Sequence, residues 1–286
     1  MIPPYINKDH LIKLLRDAIA EDIGDGDHSS YAIFPEGKTG KARLITKEGG
    51  VIAGLYVADL IFRIFDGKSD VRFLKNDGDP VTRDEILFEV EGSIRAILSA
   101  ERLTLNILQR MSGIATATNR LVKKIENYPV KLLDTRKTTP NLRMLEKWAV
   151  KLGGAENHRM GLYDMIMLKD NHIDFAGGIS PAIRAVKNYL VQTGKSLKIE
   201  IETRNLREVR EVLDTGGVDV IMLDNMGVQD MKNAVRMING KYATEASGNI
   251  TEENIEKIAA SGVDFISVGA ITHSVKSLDI SLKTLI

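Results

Sequence analysis

The chain has 286 residues, enough to bury a large core and to form two domains. Lys plus Arg and Asp plus Glu are both 39, so the net charge is zero, and neither a positive excess nor a basic tail exists to suit a nucleic-acid or membrane-surface binder. The absence of cysteine excludes disulfides, thiolate metal ligands and a cysteine nucleophile, and fits a reducing compartment.

The opening stretch, MIPPYINKDHLIKLLRDAIAEDIG, interleaves charges with apolar residues, unlike the uninterrupted apolar core of a signal peptide. No run is long enough to cross a bilayer, and a cytoplasmic location is expected. Leu11, Ile12, Leu14, Leu15, Ala18 and Ile19 repeat at helical spacing, which predicts an amphipathic helix packed on the sheet that follows. Asp22, Asp25 and Asp27 with Gly24 and Gly26 have part of a calcium-loop pattern, but no Glu closes it, so a turn is expected. From 41 to 97, ARLITK, VIAG, VRFLK, ILFEVEG and SIRAIL read as strands, LYVADLIFRIFD as a helix, and Asn76-Asp77-Gly78-Asp79-Pro80 as a turn. Ser99 is expected to cap a long helix starting at Ala100, with Leu103, Ile107, Leu108 and Met111 on its apolar side and Arg102 in its first turn.

Residues 130–134 form a β-type run that ends at Thr135-Arg136-Lys137, so two cations leave one strand together. Thr139 and Pro140 read as the N-cap and first position of a helix whose buried face is Leu142, Leu145, Trp148, Ala149 and Leu152. Lys147 and Lys151 lie on another line of that helix and are expected to be solvated. Gly153-Gly154 ends it, and a loop then delivers Asn157, His158 and Arg159. A strand over 165–168 ends in Lys169 and Asp170. Beyond it, helix and strand alternate regularly through LKIEIE, VDVIMLD, YATEAS and VDFISVG, which implies parallel strands joined by helices, six in all. The residues leaving those strands include Arg136, Lys137, Lys169, Glu202, Asp224, Ser247, Gly248 and Gly269. A closed βα barrel brings such ends to one mouth, whereas a doubly wound open sheet does not, so the barrel is preferred.

Guanidinium forks and lysine point charges at strand ends suit a ligand that is anionic at several places. Glu200 and Glu202 alternate with Ile199 and Ile201 and so face the same side, where a metal, a hydroxyl-rich ligand or a cation must compensate their burial; Asp224 ends the next strand. Ser247-Gly248-Asn249 and Gly269-Ala270 are small-residue turns suited to cradling phosphate with backbone N–H groups.

DTRKTTPNLRMLEKWAV, followed by NHRMGLYD and LKDNH, closely resembles the signature of the quinolinate phosphoribosyltransferase family, the carboxylating nicotinate-nucleotide pyrophosphorylases. AERLTLNILQRMSGIAT, EASGNI and VGAITHS extend the resemblance over nearly the whole chain. Asn141 stands where the family usually has Gly, and Ala155 replaces the third Gly of the loop before Asn157. The resemblance implies an α/β protein: an N-terminal α+β domain with its linking helix over 1–113, and an incomplete parallel βα barrel over 114–286 whose last residues return to the first domain.

The implied reaction joins quinolinate and phosphoribosyl pyrophosphate to give nicotinate mononucleotide, pyrophosphate and carbon dioxide. Arg102, Arg136, His158 and Arg159 would hold the substrate carboxylates, and Lys137 and Lys169 would serve substrate and pyrophosphate. Glu202 and Asp224 are assigned to ribose hydroxyls and Mg²⁺, directly or through the substrate, with Glu200 left to pair with a basic neighbour. Ser247, Gly248, Gly269 and His273 are assigned to phosphate. No protein nucleophile is required. A homodimer is implied in which the first domain of a second subunit, carrying Arg102, covers the mouth. Two rivals remain at this stage: a paralogous phosphoribosyltransferase-like protein of molybdenum transport, and an inactive binding protein, against which the joint presence of Lys137, Lys169, Glu202 and Asp224 argues.

Overall fold

The structure, a computed structural model, describes residues 2–285. Two compact units result. The first comprises the chain up to Asn119, Thr138–Gly154 and the chain from Ile271; the second comprises Arg120–Lys137 and Ala155–Ala270. In chain order the elements begin α1 (Lys8–Ile23), α2 (His28–Ile33), β1 (Thr39–Thr46), β2 (Gly50–Val51), α3 (Leu55–Phe65), β3 (Asp70–Phe73), β4 (Pro80–Val81), β5 (Ile86–Ser93) and α4 (Ile94–Lys124). They continue β6 (Lys131–Leu133), α5 (Arg143–Leu152), β7 (Ile166–Leu168), α6 (Asp170–Phe175), α7 (Ile179–Thr193), β8 (Ile199–Thr203), α8 (Leu206–Thr215), β9 (Val220–Asp224), α9 (Val228–Ile238), β10 (Ala243–Ser247), α10 (Ile255–Ala259), β11 (Phe265–Ser267), α11 (Ala270–His273) and β12 (Ile280–Leu285).

In the first unit, β12-β1-β5-β3 form an antiparallel sheet beside a small β2–β4 ribbon. β1 buries Ala42 and Leu44 between the outward Lys41 and Arg43, the period of two that a half-buried strand requires. Phe88 of β5 meets Phe62 of α3 edge-on at 5.9 Å. Helix starts are set by side-chain caps: Asn7 for α1, Asp27 for α2, and Asp77, whose carboxylate accepts the Gly54 and Leu55 amides at 2.6 and 2.9 Å, for α3.

Several local expectations change. α1 packs on α3. SIRAIL is no strand, because α4 already starts at Ile94 and runs for 31 residues; a four-residue alternation is too short to outweigh the helical period that follows. Ser99 therefore lies inside α4, and its hydroxyl donates to Asp27 at 3.0 Å. Thr139 is not an N-cap. α5 begins at Arg143 after Leu142, and the Thr139 amide donates instead to Glu146 Oε2 at 3.1 Å. Lys147 is fully buried rather than solvated. Arg110 of α4 donates to Glu146 through Nε and Nη2, at 3.0 and 2.8 Å, and to the Thr272 carbonyl. Asn141 has φ 66°, the left-handed conformation in which Asn substitutes for Gly most readily, whereas the buried Ala155 is not among the positive-φ residues, so its methyl group adds no backbone strain.

The second unit holds a six-stranded, wholly parallel sheet in the order β6-β11-β10-β9-β8-β7. β6 and β7 are consecutive in the chain yet stand at opposite ends, so the ring is open between them. A single parallel bridge, Leu133 to Glu156, with the Glu156 amide donating to Leu132 O at 2.9 Å, adds a short seventh segment beside β6. Helices α6 to α10 pack in succession, each on the next. This is an incomplete βα barrel. Among the described residues no helix is long and apolar enough to cross a membrane.

Candidate functional site

Parallel strands bring their carboxyl ends to one rim, and the register aligns them: Leu168 with Ile201, Thr203 with Leu223, Asp224 with Ser247, Ser267 with Leu133. Lys137, Lys169, Glu202, Asp224, Ser247, Gly248 and Gly269 therefore stand at or just past the same end of one sheet. Arg102, on α4, and His273, at the end of α11, belong to the other unit, and both are exposed.

Lys169 follows β7, and its ammonium donates to Glu202 Oε1 at 2.6 Å, while the Asp170 amide at the start of α6 donates to Oε2 at 3.1 Å. The Glu202 side chain is only 8% exposed and the Lys169 side chain 48%, so the carboxylate is walled in and the cation reaches solvent. At the end of β6, buried Asp134 accepts the Asn157 side-chain amide at 2.7 Å and the His158 backbone amide at 2.9 Å, which fixes the loop that carries Arg159. Arg159 donates to the Met165 carbonyl at 3.1 Å. Burial, and then the like charge of Arg136, hold its guanidinium below the usual arginine range.

The next part of the rim is a knot of backbone turns. The Asn225 amide donates to Ser247 O at 2.8 Å, and the Asn225 side chain donates to Asp224 Oδ2 at 2.8 Å and accepts from Asn249 at 2.9 Å. Gly248 has φ 90°, and a Cβ there would lie 2.1 Å from Asn225 Oδ1, so only glycine fits.

Beneath the rim, the His158 ring, expected to hold a substrate carboxylate, is instead turned inward with both nitrogens facing protein groups, its side chain 6% exposed. Nε2 stands 3.0 Å from Glu200 Oε2 and 3.4 Å from Glu245 Oε2, and Nδ1 accepts the Arg159 amide at 2.7 Å. The three groups are also the one His/Asp/Glu cluster with metal-ligand spacing among the described residues, their ligand atoms lying within 4.8 Å of one another. Burial opposes a charged ring while the two carboxylates favour one; burial and the neighbouring Glu245 push Glu200 up to about 7. A ring protonated on both nitrogens conflicts with the amide aimed at Nδ1. That amide is fixed by the backbone, so the surplus proton belongs on the carboxylate side. Glu200 thus pairs with a basic neighbour as expected, while Glu245 escaped sequence reasoning. Its one signal was a lone carboxylate inside the strand YATEAS.

Family models for the N-terminal and C-terminal domains of quinolinate phosphoribosyl transferase match residues 27–112 and 114–283. The mitochondrial quinolinate phosphoribosyltransferase [decarboxylating] 2b of Nicotiana tabacum is 45% identical over 98% of this chain and 84% of its own. A probable nicotinate-nucleotide pyrophosphorylase [carboxylating] from Synechocystis is 44% identical over 99% and 94%. Among solved structures, the nicotinate-nucleotide pyrophosphorylase of Francisella tularensis superimposes with a TM-score of 0.92 at 40% identity, covering 98% of each chain. NadC of Streptococcus pyogenes gives 0.93 at 39% identity over 99% and 100%.

Proposed function

The chain belongs to the quinolinate phosphoribosyltransferase family, and from that premise we propose that it transfers the phosphoribosyl group of phosphoribosyl pyrophosphate to quinolinate with decarboxylation, in de novo NAD biosynthesis. The observation that carries this reading in the chain itself is the Lys169–Glu202 pair at the rim, an ammonium that reaches solvent bonded to a walled-in carboxylate, with Arg136 and Lys137 following β6 and Arg159 on the loop whose Glu156 bridges to that strand. Pyridine-2,3-dicarboxylate has two adjacent anions to answer them. Lys137 and Lys169 add charge for substrate and pyrophosphate. The turns at Ser247-Gly248 and Gly269 offer backbone donors to phosphate.

The chemistry asks little covalent work of the protein. As the C1–O bond to pyrophosphate breaks, the ribose develops oxocarbenium character, which the Glu202 and Asp224 carboxylates stabilise while the pyridine nitrogen attacks C1. The nitrogen becomes cationic. The bond from C2 to its carboxylate then breaks, CO₂ leaves, and the electron pair stays at C2 beside the positive nitrogen until a solvent proton takes it. Asp224, a half-buried carboxylate at a strand end, is a hard oxygen donor that fits Mg²⁺, whereas both oxygens of Glu202 are engaged by Lys169 and Asp170, so Glu202 joins as a ligand only when that pair opens. When bound, the ion neutralises the leaving pyrophosphate.

We also place the enzyme in the cytoplasm as a homodimer. A chain without cysteine suits a reducing compartment, whereas plant relatives carry organellar names. The exposure of Arg102 supports the homodimer, with that residue serving the partner's site. The deciding experiment is incubation with quinolinate, phosphoribosyl pyrophosphate and Mg²⁺, following nicotinate mononucleotide and CO₂. Equimolar release of both products is expected; a chain that binds quinolinate without turnover would be the inactive binding protein instead.

A further inference from the structure

Glu200 has no exposed surface and Glu245 is 1% exposed, yet both oxygens of Glu200 and Oε1 of Glu245 lack a well-formed hydrogen bond. Two carboxylates buried side by side demand a compensating proton or cation. The ring between them decides which. A metal on Nε2 requires the ring proton to be on Nδ1 and to be donated outward, as ligating histidines do. Here Nδ1 faces the Arg159 amide at 2.7 Å, so it accepts, and the ring proton is on Nε2 between the two carboxylates.

We propose that Glu200 and Glu245 are positioning residues, which hold the Nε2–H of His158 inward and so keep its Nδ1 lone pair on the Arg159 amide, fixing where the Arg159 side chain leaves the backbone. The His158–Arg159 segment is then pinned twice, by the ring on one side and by Asp134, which accepts the His158 amide at 2.9 Å, on the other. Charged neighbours of the Arg159 guanidinium are Arg136, Glu200, Asp164 and Glu202. None of them replaces this link, because none bonds the amide itself. The inference rests on the assignment of Arg159 to a substrate carboxylate.

The link predicts a selective lesion. Glu200→Gln and Glu245→Gln each keep the volume but cease to demand the ring proton, so the KM for quinolinate rises by about tenfold while kcat and the KM for phosphoribosyl pyrophosphate stay within about twofold. Equal losses for both substrates, or no change in either, overturn the proposal. Nitrogen-15 spectra of the wild-type histidine rings, with the His158 signals assigned by their loss in His158→Gln, test it without any turnover or viable glutamate variant. The expected pattern is a protonated Nε2 and a bare Nδ1 between pH 6 and 8. A doubly protonated ring, an Nδ1–H tautomer, or a metal that native mass spectrometry finds bound and that Glu200→Gln releases would each overturn it. Wild-type protein that fails to consume quinolinate sinks the functional reading and leaves this spectrum to judge the tautomer lock alone.

Discussion

Glu200 and Glu202 are two residues apart on β8, face the same way and are both nearly buried, at 0% and 7% exposure, yet their surroundings differ in kind. Glu202 sits one layer nearer the rim, and its oxygens meet an ammonium that reaches solvent and an amide at a helix start. Glu200 lies instead against the buried ring of His158 and the carboxylate of Glu245. One step along a strand, about 7 Å for two residues, thus separates a carboxylate that can trade its partner for a ligand from one that cannot. Depth below the rim, rather than residue type, separates the carboxylate for chemistry from the carboxylate for architecture.

The sharpest way to break that contrast is to exchange the lesions. Glu202→Ala is expected to lower kcat/KM for phosphoribosyl pyrophosphate by about a thousandfold, roughly 4 kcal/mol of transition-state stabilisation, with quinolinate binding largely retained. Asp224→Ala should fall in the same direction. Steady-state kinetics in both substrates, beside calorimetric quinolinate binding, check this; unchanged use of phosphoribosyl pyrophosphate in both variants would remove them from the site. The next largest effect belongs to the guanidinium pair. Arg136→Ala and Arg159→Ala are each expected to lose about 2 to 5 kcal/mol, because truncation leaves a partner charge unanswered. Nicotinate, lacking the second carboxylate, should bind far more weakly than quinolinate, and equal affinities by calorimetry would contradict the two-cation clamp.

The rim was legible in the sequence because each charged group follows directly on an apolar run, as in KLLDTRK, MIMLKD and VIMLDN, and because parallel strands must end together. The layer beneath it was not. His158, Glu200 and Glu245 come from a loop and two strands far apart in the chain, and no local period connects them. The fully buried Lys147 was misread for a related reason: its place off the apolar stripe of α5 describes the helix alone, not what packs on its far side. The short bridge at Glu156 carries no pattern of its own, since one residue pair is below the length at which alternation can be seen. Asn141, by contrast, stands where the family usually has Gly and occupies a left-handed position, where Asn is the cheapest alternative to Gly.

A third experiment sharpens the comparison by asking which chain supplies the outermost cation. Arg102→Ala and Lys137→Ala are each expected to be inactive. When they are mixed and allowed to exchange subunits, half the dimers are mixed and each carries one intact site of two, so activity returns to roughly a quarter of wild type if the site is shared. A mixture that stays inactive, with exchange verified by mass spectrometry, assigns Arg102 to its own chain's site or to none.

The smallest effect is expected at an acid that belongs to neither layer. Asp27 caps α2, accepting the Ser30 amide at 3.0 Å and the Ser30 hydroxyl at 2.6 Å, and takes a further hydrogen bond from Ser99. The hydrogen bonds from Ser30 hold its carboxyl below the usual range, against a small opposing effect of burial. A carboxyl bound more tightly as its anion in the folded state contributes stability above its unfolded value of 3.8, and that contribution is lost as pH falls through the folded value. Asp27→Ala should therefore cost about 1 kcal/mol near neutral pH, a shift of about 2 to 4 °C in melting temperature, with kcat unchanged. The difference between wild type and variant should shrink below about pH 4 as the wild-type carboxyl takes up its proton. A melting difference that persists undiminished at pH 2.5 would show that the helix start depends on the side chain's packing rather than its charge, and Asp27 would then resemble the buried acids beneath the rim more than the paired one at its edge.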